Sequence, residues 1–150
     1  MVGLPAAGKS TYHRTRFADS HEWISKDRLR NNRHPARRQM KLLGEALAAG
    51  RSVVVDNTQP RLADRQHLME LGRSYGARVV CYYYASTPGE CIDRNRQRSG
   101  KSHVPAVAIY AAAKRLQPPT LAEGFDELYE VRIANGGQFD VAKKGVGGVA

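Results

Sequence analysis

Eight residues near the start of the chain carry the most chemistry: Gly3-Leu4-Pro5-Ala6-Ala7-Gly8-Lys9-Ser10. They fit the spacing G-x-x-x-x-G-K-[ST], the phosphate-binding P-loop. The backbone N–H groups of such a loop cradle phosphates, its lysine reaches the β and γ oxygens, and its hydroxyl ligates Mg²⁺. Lys9 and Ser10 take the last two roles. Gly3, Ala7 and Gly8 belong to the cradle, with Thr11 beside it. The loop fixes where nucleotide phosphates sit but names no reaction, because ATPases, GTPases and kinases all use it.

Three further clusters could give the phosphoryl group a destination. Asp27 and Arg30 follow a short apolar segment, where strand ends line the ligand crevice of a doubly wound sheet. A carboxylate there can orient an acceptor hydroxyl and take its proton. Arg30, three residues on, can clamp an anionic acceptor. The plainer reading of Asp27 is a capping residue among solvated charges. Asp56 ends the run Val53-Val54-Val55, the pattern of a carboxylate that supports Mg²⁺ or its waters, although strand-ending aspartates are also common turn chemistry. Asn57 and Thr58 after it read as turn residues or supporting donors. Arg94-Asn95-Arg96-Gln97-Arg98, followed by Lys101, places Arg94 and Arg98 four apart on one helix face. In small P-loop kinases such a helix is a lid, and an arginine closing on the transferring phosphoryl group is worth ~10³–10⁵ in rate. Otherwise it is a solvated basic helix.

The elements that must hold these groups follow from the pattern of apolar residues. A strand stump at 1–3 precedes the loop and is unusually short, which suggests a trimmed chain or a later start. A helix is expected over 9–18, a strand over 21–25, a helix over 36–49 with Met40, Leu43, Ala46 and Leu47 on one face, and a strand over 51–56. A helix over 61–75, a strand over 78–85, helices over 88–98 and 106–116, and a last strand over 128–133 complete the alternation. That alternation predicts an α/β fold: a doubly wound parallel sheet with helices on both faces and a small helical lid. Tyr82, Tyr83 and Tyr84 lie in a strand and read as packing rather than base stacking, and Trp23 likewise. Residues 1–140 form the expected domain. Residues 141–150 form a flexible Gly-rich tail.

A chain of 150 residues is one domain with one real core. Its formal net charge of +10 points to a polyanionic partner, against the plainer reading of a generic basic surface. Arg28, Arg30, Arg33, Arg37 and Arg38 with His34 could line a path for a nucleic-acid backbone. No stretch has the ~18 consecutive apolar residues of a membrane span, and no signal peptide is visible, so a cytoplasmic protein without a membrane partner is expected. Cys81 and Cys91 lack metal or redox spacing and read as reduced thiols, so any metal should arrive with the nucleotide.

Taken together, the P-loop, Ser25-Lys26-Asp27-Arg28-Leu29-Arg30, Val54-Val55-Asp56-Asn57-Thr58 and Cys91 to Arg98 with Val104-Pro105 make the chain resemble the 5′-kinase domain of polynucleotide kinases, over about residues 2–140. That group lies within the wider P-loop kinases (AAA-type ATP-binding, zeta-toxin-like). The resemblance implies ATP- and Mg²⁺-dependent phosphorylation of a 5′-hydroxyl end of DNA or RNA. It makes Asp27 the general base, and it assigns Lys9 and Ser10 to ATP and Mg²⁺. Arg98 closes on the donor phosphates, with Arg94 a second lid contact. Arg30 holds the acceptor's 3′-side phosphate, and Asp56 is a structural organiser or supports the groups that touch the ligand. Ala6-Ala7 departs from the Gly-Ser or Gly-Ala common inside the loop, and no D-x-D-G-T phosphatase motif is present. The rival expectations are a small-molecule kinase for a nucleoside, sugar or antibiotic, and a nucleotide-binding switch or adaptor.

Overall fold

β-branched and aromatic runs form strands here, and amphipathic segments form the helices between them. The computed structural model describes residues 1–100 and 103–145. In chain order the elements are β1 (Val2–Gly3), α1 (Lys9–Arg16), β2 (Glu22–Ile24), α2 (Pro35–Ala48), β3 (Val53–Val55), α3 (Leu62–Ser74), β4 (Val80–Tyr84), α4 (Pro88–Asn95), α5 (Ala106–Arg115), β5 (Glu127–Ile133) and β6 (Phe139–Lys143). Short 3-10 turns occupy Lys26–Leu29, Leu121–Glu123 and Asn135–Gly137.

β1, β4, β5 and β6 form one ladder and β2 pairs with β3 in another. All pairs are parallel except β5 with β6. Three hydrogen bonds join the ladders edge to edge. The Met1 amine donates to Val55 O (2.9 Å), Gly3 N to Thr58 O (3.1 Å) and Gln59 Nε2 to Met1 O (2.7 Å). Two residues on β1 span three on the β3 side, so the regular ladder breaks at this seam. The strands therefore run β2-β3-β1-β4-β5-β6, an α/β sheet that is mostly parallel.

β6 is the departure from the expected all-parallel sheet. Gly136 and Gly137, at φ 81° and 77°, reverse the chain after β5, and Ala134 N closes the hairpin on Gln138 O (2.7 Å). β6 is an edge strand with only Phe139 half-buried, so it carries no apolar alternation that a sequence reading could find. It continues ordered pairing to Lys143, three residues beyond the expected domain limit at 140.

Alternate residues of β4 serve opposite faces of the sheet. Tyr84 joins Leu4, Tyr12, Cys91, Ile109, Ala112 and Val131 in the main core, with Tyr82 packed against it. Cys81 packs with Val2 and Leu128 in a second cluster. Tyr12 meets Tyr82, Tyr84, Phe17 and Phe139 edge-on or tilted, at centroid distances of 5.0–5.9 Å. The tyrosine run is thus packing. Both cysteines are buried unpaired thiols, and burial pushes Cys81 up to about 11. Gly3 is required where β1 pairs with β4, since a Cβ there would stand 2.9 Å from Tyr84 Cβ. No helix among the described residues is long and apolar enough to cross a membrane. Lys101 lies outside the described residues.

Candidate functional site

The P-loop links the end of β1 to the first turn of α1, so the N–H groups of Lys9, Ser10 and Thr11 lack intrahelical acceptors. These donors, with the helix dipole, favour an anion at this point. Gly8 caps the helix at φ 97°, and a Cβ there would strike Ile133 Cδ1 at 2.9 Å. Ala6 also adopts a left-handed backbone, at φ 63°. A non-glycine residue held there stores ~1–2 kcal/mol of strain. Gly3 N is committed to Thr58 O, so Gly3 shapes the loop rather than offering a donor.

Lys9 Nζ donates to Gly3 O (2.8 Å) and Leu4 O (2.7 Å), folded back across the loop. Burial pushes its ammonium down to about 8, against the opposing pull of the Asp56 carboxylate. Ser10 Oγ donates to Asp56 Oδ2 (3.2 Å), and Trp23 Nε1 donates to the same oxygen (3.1 Å). Asp56 itself is buried, its N–H bonded to Ile24 O (2.8 Å). Trp23 stacks on buried His13 with 4.7 Å between ring centroids, and the Arg28 guanidinium lies 4.8 Å from the indole centroid. The hydroxyl of Ser10 and the carboxylate of Asp56 are hard oxygen donors. Mg²⁺ typically takes one or two such protein ligands and completes its shell with water and substrate phosphates. The residues present fit Mg²⁺ bound with a nucleotide.

Across from the loop, Ser25 caps the turn Lys26–Leu29, its Oγ accepting from Asp27 N (3.3 Å). Lys26 N donates to Asn57 Oδ1 (2.9 Å), and Asn57 Nδ2 donates to Gln39 Oε1 (2.7 Å). Gln39 is 1% exposed. α2 therefore turns Gln39, Leu43 and Ala46 inward, with Met40 only half-buried, because the turn that carries Asp27 needs a buried acceptor.

Lys9, Ser10, Thr11, Asp27, Arg30, Asp56 and Arg98 all line one cleft of about 740 Å³, within the range of small-molecule sites. Gly3, Ala7, Gly8 and Arg94 are not on its wall. Arg94 Nη1 donates to Ala6 O (3.0 Å) and Ser86 Oγ (3.3 Å), so Arg94 braces the loop from behind while Arg98 faces the cleft. Asn95, which the sequence reading assigned no role, is buried and binds Val104 twice. Val104 N donates to Asn95 Oδ1 (2.9 Å) and Asn95 Nδ2 donates to Val104 O. Its position between the two arginines, ahead of Val104-Pro105, was the available signal. From the sequence, Trp23 reads as strand packing first. It pairs with Val54, two residues before Asp56, and that register was the missing clue.

The AAA domain family matches residues 1–119. A bifunctional polynucleotide phosphatase/kinase of Schizosaccharomyces pombe is 27% identical over 135 residues, 87% of this chain and 32% of that protein. The chain thus spans about a third of the length of that curated relative. A gluconokinase from Sinorhizobium meliloti 1021 shares the fold, with a TM-score of 0.63 and 21% identity over 89% of this chain and 81% of that one. The chain belongs to the AAA domain family.

Proposed function

We propose that this AAA domain protein is a kinase that transfers the γ-phosphoryl group of ATP to the 5′-hydroxyl end of a polynucleotide. One observation carries the reading: Asp27 lines the same cleft as Lys9, Ser10 and Arg98, so an acceptor carboxylate and a set of donor-phosphate groups share one cavity. The net charge of +10 and the exposed arginines of 28–38 favour a polyanionic acceptor. The curated relative's polynucleotide phosphatase/kinase name supports the same class.

Bound Mg²⁺, held by Ser10 Oγ with Asp56, supplies charge neutralisation. Lys9 and Arg98 stabilise negative charge on the transferring group. Asp27 orients the acceptor hydroxyl and accepts its proton. The acceptor oxygen bonds to the γ-phosphorus as the bond to the β-bridging oxygen breaks, and ADP leaves. Positioning and electrostatics supply most of the rate in such transfers. Arg30, on the same cleft, suits the phosphate on the acceptor's 3′ side.

The test is incubation with γ-labelled ATP, Mg²⁺ and matched oligonucleotides ending in 5′-OH or 5′-phosphate. Label on the first alone is expected. Label on neither, with salt-insensitive labelling of a neutral metabolite, replaces this reading with a small-molecule kinase. Nucleotide binding without transfer to any hydroxyl replaces it with a switch.

A further inference from the structure

A second cleft, of about 390 Å³, opens beside the first. Asp27, Asn57 and Thr58 line both, so the Asp27 turn and the end of β3 are their common wall. The P-loop borders only the first cleft. The second is bounded by Lys26, Arg61, His67 and Arg115. Arg61 and Arg115 are exposed, and neither makes an ion pair among the described residues. The facing carboxylate, Asp64, accepts from Arg61 N (2.9 Å) to cap α3.

The floor of this cleft is built rather than incidental. Gln59 holds a left-handed backbone at φ 47°, rare for a non-glycine residue. Its buried Oε1 has no hydrogen-bond partner. The strained loop is fixed from below by Arg65, 3% exposed, whose Nη1 donates to Gln59 O (3.0 Å) while Nε and Nη2 bind both oxygens of buried Glu123 (2.8 and 3.0 Å). Strain over-determined by buried contacts is a mark of functional loops.

We propose that the second cleft is the acceptor-strand site: it holds the phosphodiester backbone one or more nucleotides downstream of the reacting hydroxyl, with Arg61 and Arg115 on its phosphates. This rests on the polynucleotide reading above. The two clefts then divide the reaction between them, with donor phosphates on the P-loop side of Asp27 and the acceptor strand on the other.

The experiment pairs binding with kinetics. Binding of dye-labelled single-stranded 5′-OH oligonucleotides of two to eight nucleotides is followed by anisotropy without ATP, and KM is measured for the same series and for a nucleoside 3′-monophosphate. The expected result is that Arg61→Ala with Arg115→Ala weakens binding of the longer oligonucleotides ~10-fold or more, and that each lost phosphate contact flattens the salt slope by ~0.7. KM for ATP and turnover of the nucleoside 3′-monophosphate stay unchanged. Arg61→Lys with Arg115→Lys retains most of the binding, which separates charge from folding defects. Unchanged oligonucleotide binding in the alanine pair, or a parallel rise in KM for ATP, overturns the inference while the kinase reading stands. Wild-type binding that depends on both arginines, without phosphorylation, sinks the kinase reading and leaves the strand site.

Discussion

The two walls of the main cleft are built differently. On the P-loop wall the side chains of Lys9, Ser10 and Asp56 are already engaged by the protein. Lys9 is folded onto two carbonyls, Ser10 is held by Asp56, Asp56 by Trp23, and Ala6 O by Arg94. Behind that wall lies the core of Tyr12, Tyr84 and Val131. On the Asp27 wall the turn's N–H groups are engaged, and Arg28 Nη1 donates to Trp23 O (3.1 Å). Lys26 and Asp27 N–H groups bind Asn57 and Ser25, while the Asp27, Arg28 and Arg30 side chains stand exposed. The proposed phosphate-donor side is thus preorganised by the fold itself, and in the proposed transfer that would limit reorganisation as charge develops. The proposed acceptor side is a fixed turn whose charged side chains are exposed to solvent.

This contrast can be broken in several ways. The largest effect is expected at the groups that face the transferring phosphoryl. Lys9→Ala and Arg98→Ala should each lower kcat at least ~10³-fold, read by steady-state kinetics. Near-normal turnover of the Arg98 variant would move that residue out of the donor wall. Next comes the scaffold under the acceptor side. Arg65→Ala leaves the Glu123 carboxylate buried without its partner and should cost ~3–5 kcal/mol in a denaturant titration. A cost below ~1 kcal/mol would show that the 57–60 loop holds its shape unaided.

A smaller effect concerns protons. Burial holds Lys9 down to about 8, below its unfolded 10.5, so the fold disfavours its charged form and this group makes the protein more stable as pH rises from about 8 to 10.5. Nucleotide binding favours the ammonium. Affinity for ATP should therefore fall by up to ~10-fold per pH unit above about 8, with proton uptake on binding. Calorimetry in buffers of different ionisation heat measures that uptake, and its absence near pH ~8.5 would mean that the phosphates do not reach Lys9. The smallest effect is at Ala6. Glycine relieves a left-handed alanine at φ 63° but loosens the unfolded chain, so Ala6→Gly should stabilise by ~0.5–1 kcal/mol. Destabilisation would show that the Ala6 methyl group packs more than it strains.

How much of this could be read in the residues also differs between the walls. The P-loop and the strand-ending Asp56 are local signals, because contiguous residues do the work. β1 to β5 follow from apolar runs, since burial on one or both faces leaves a periodic trace. β6 leaves none, being an exposed edge. Gln39 and Asn95 defeat sequence reading for another reason. Each is a buried polar residue whose partner, Asn57 or Val104, becomes its neighbour only after the chain has folded. Arg65 with Glu123, 58 residues apart, is the same case. Asp27 is legible from its place after a strand, but the second cleft beside it is assembled from α3, α5 and the 57–60 loop and has no sequence signature.

Trp23 is the one tryptophan in the chain. Its indole sits between an imidazole, a guanidinium and the carboxylate that holds Ser10. Its emission comes from a single, known address. Any ion or phosphate that draws Ser10 or Asp56 away must alter the electric field on that ring. The protein therefore carries its own optical gauge of occupancy, one that works without label, turnover or acceptor, and can time the arrival of the donor separately from the chemistry that follows.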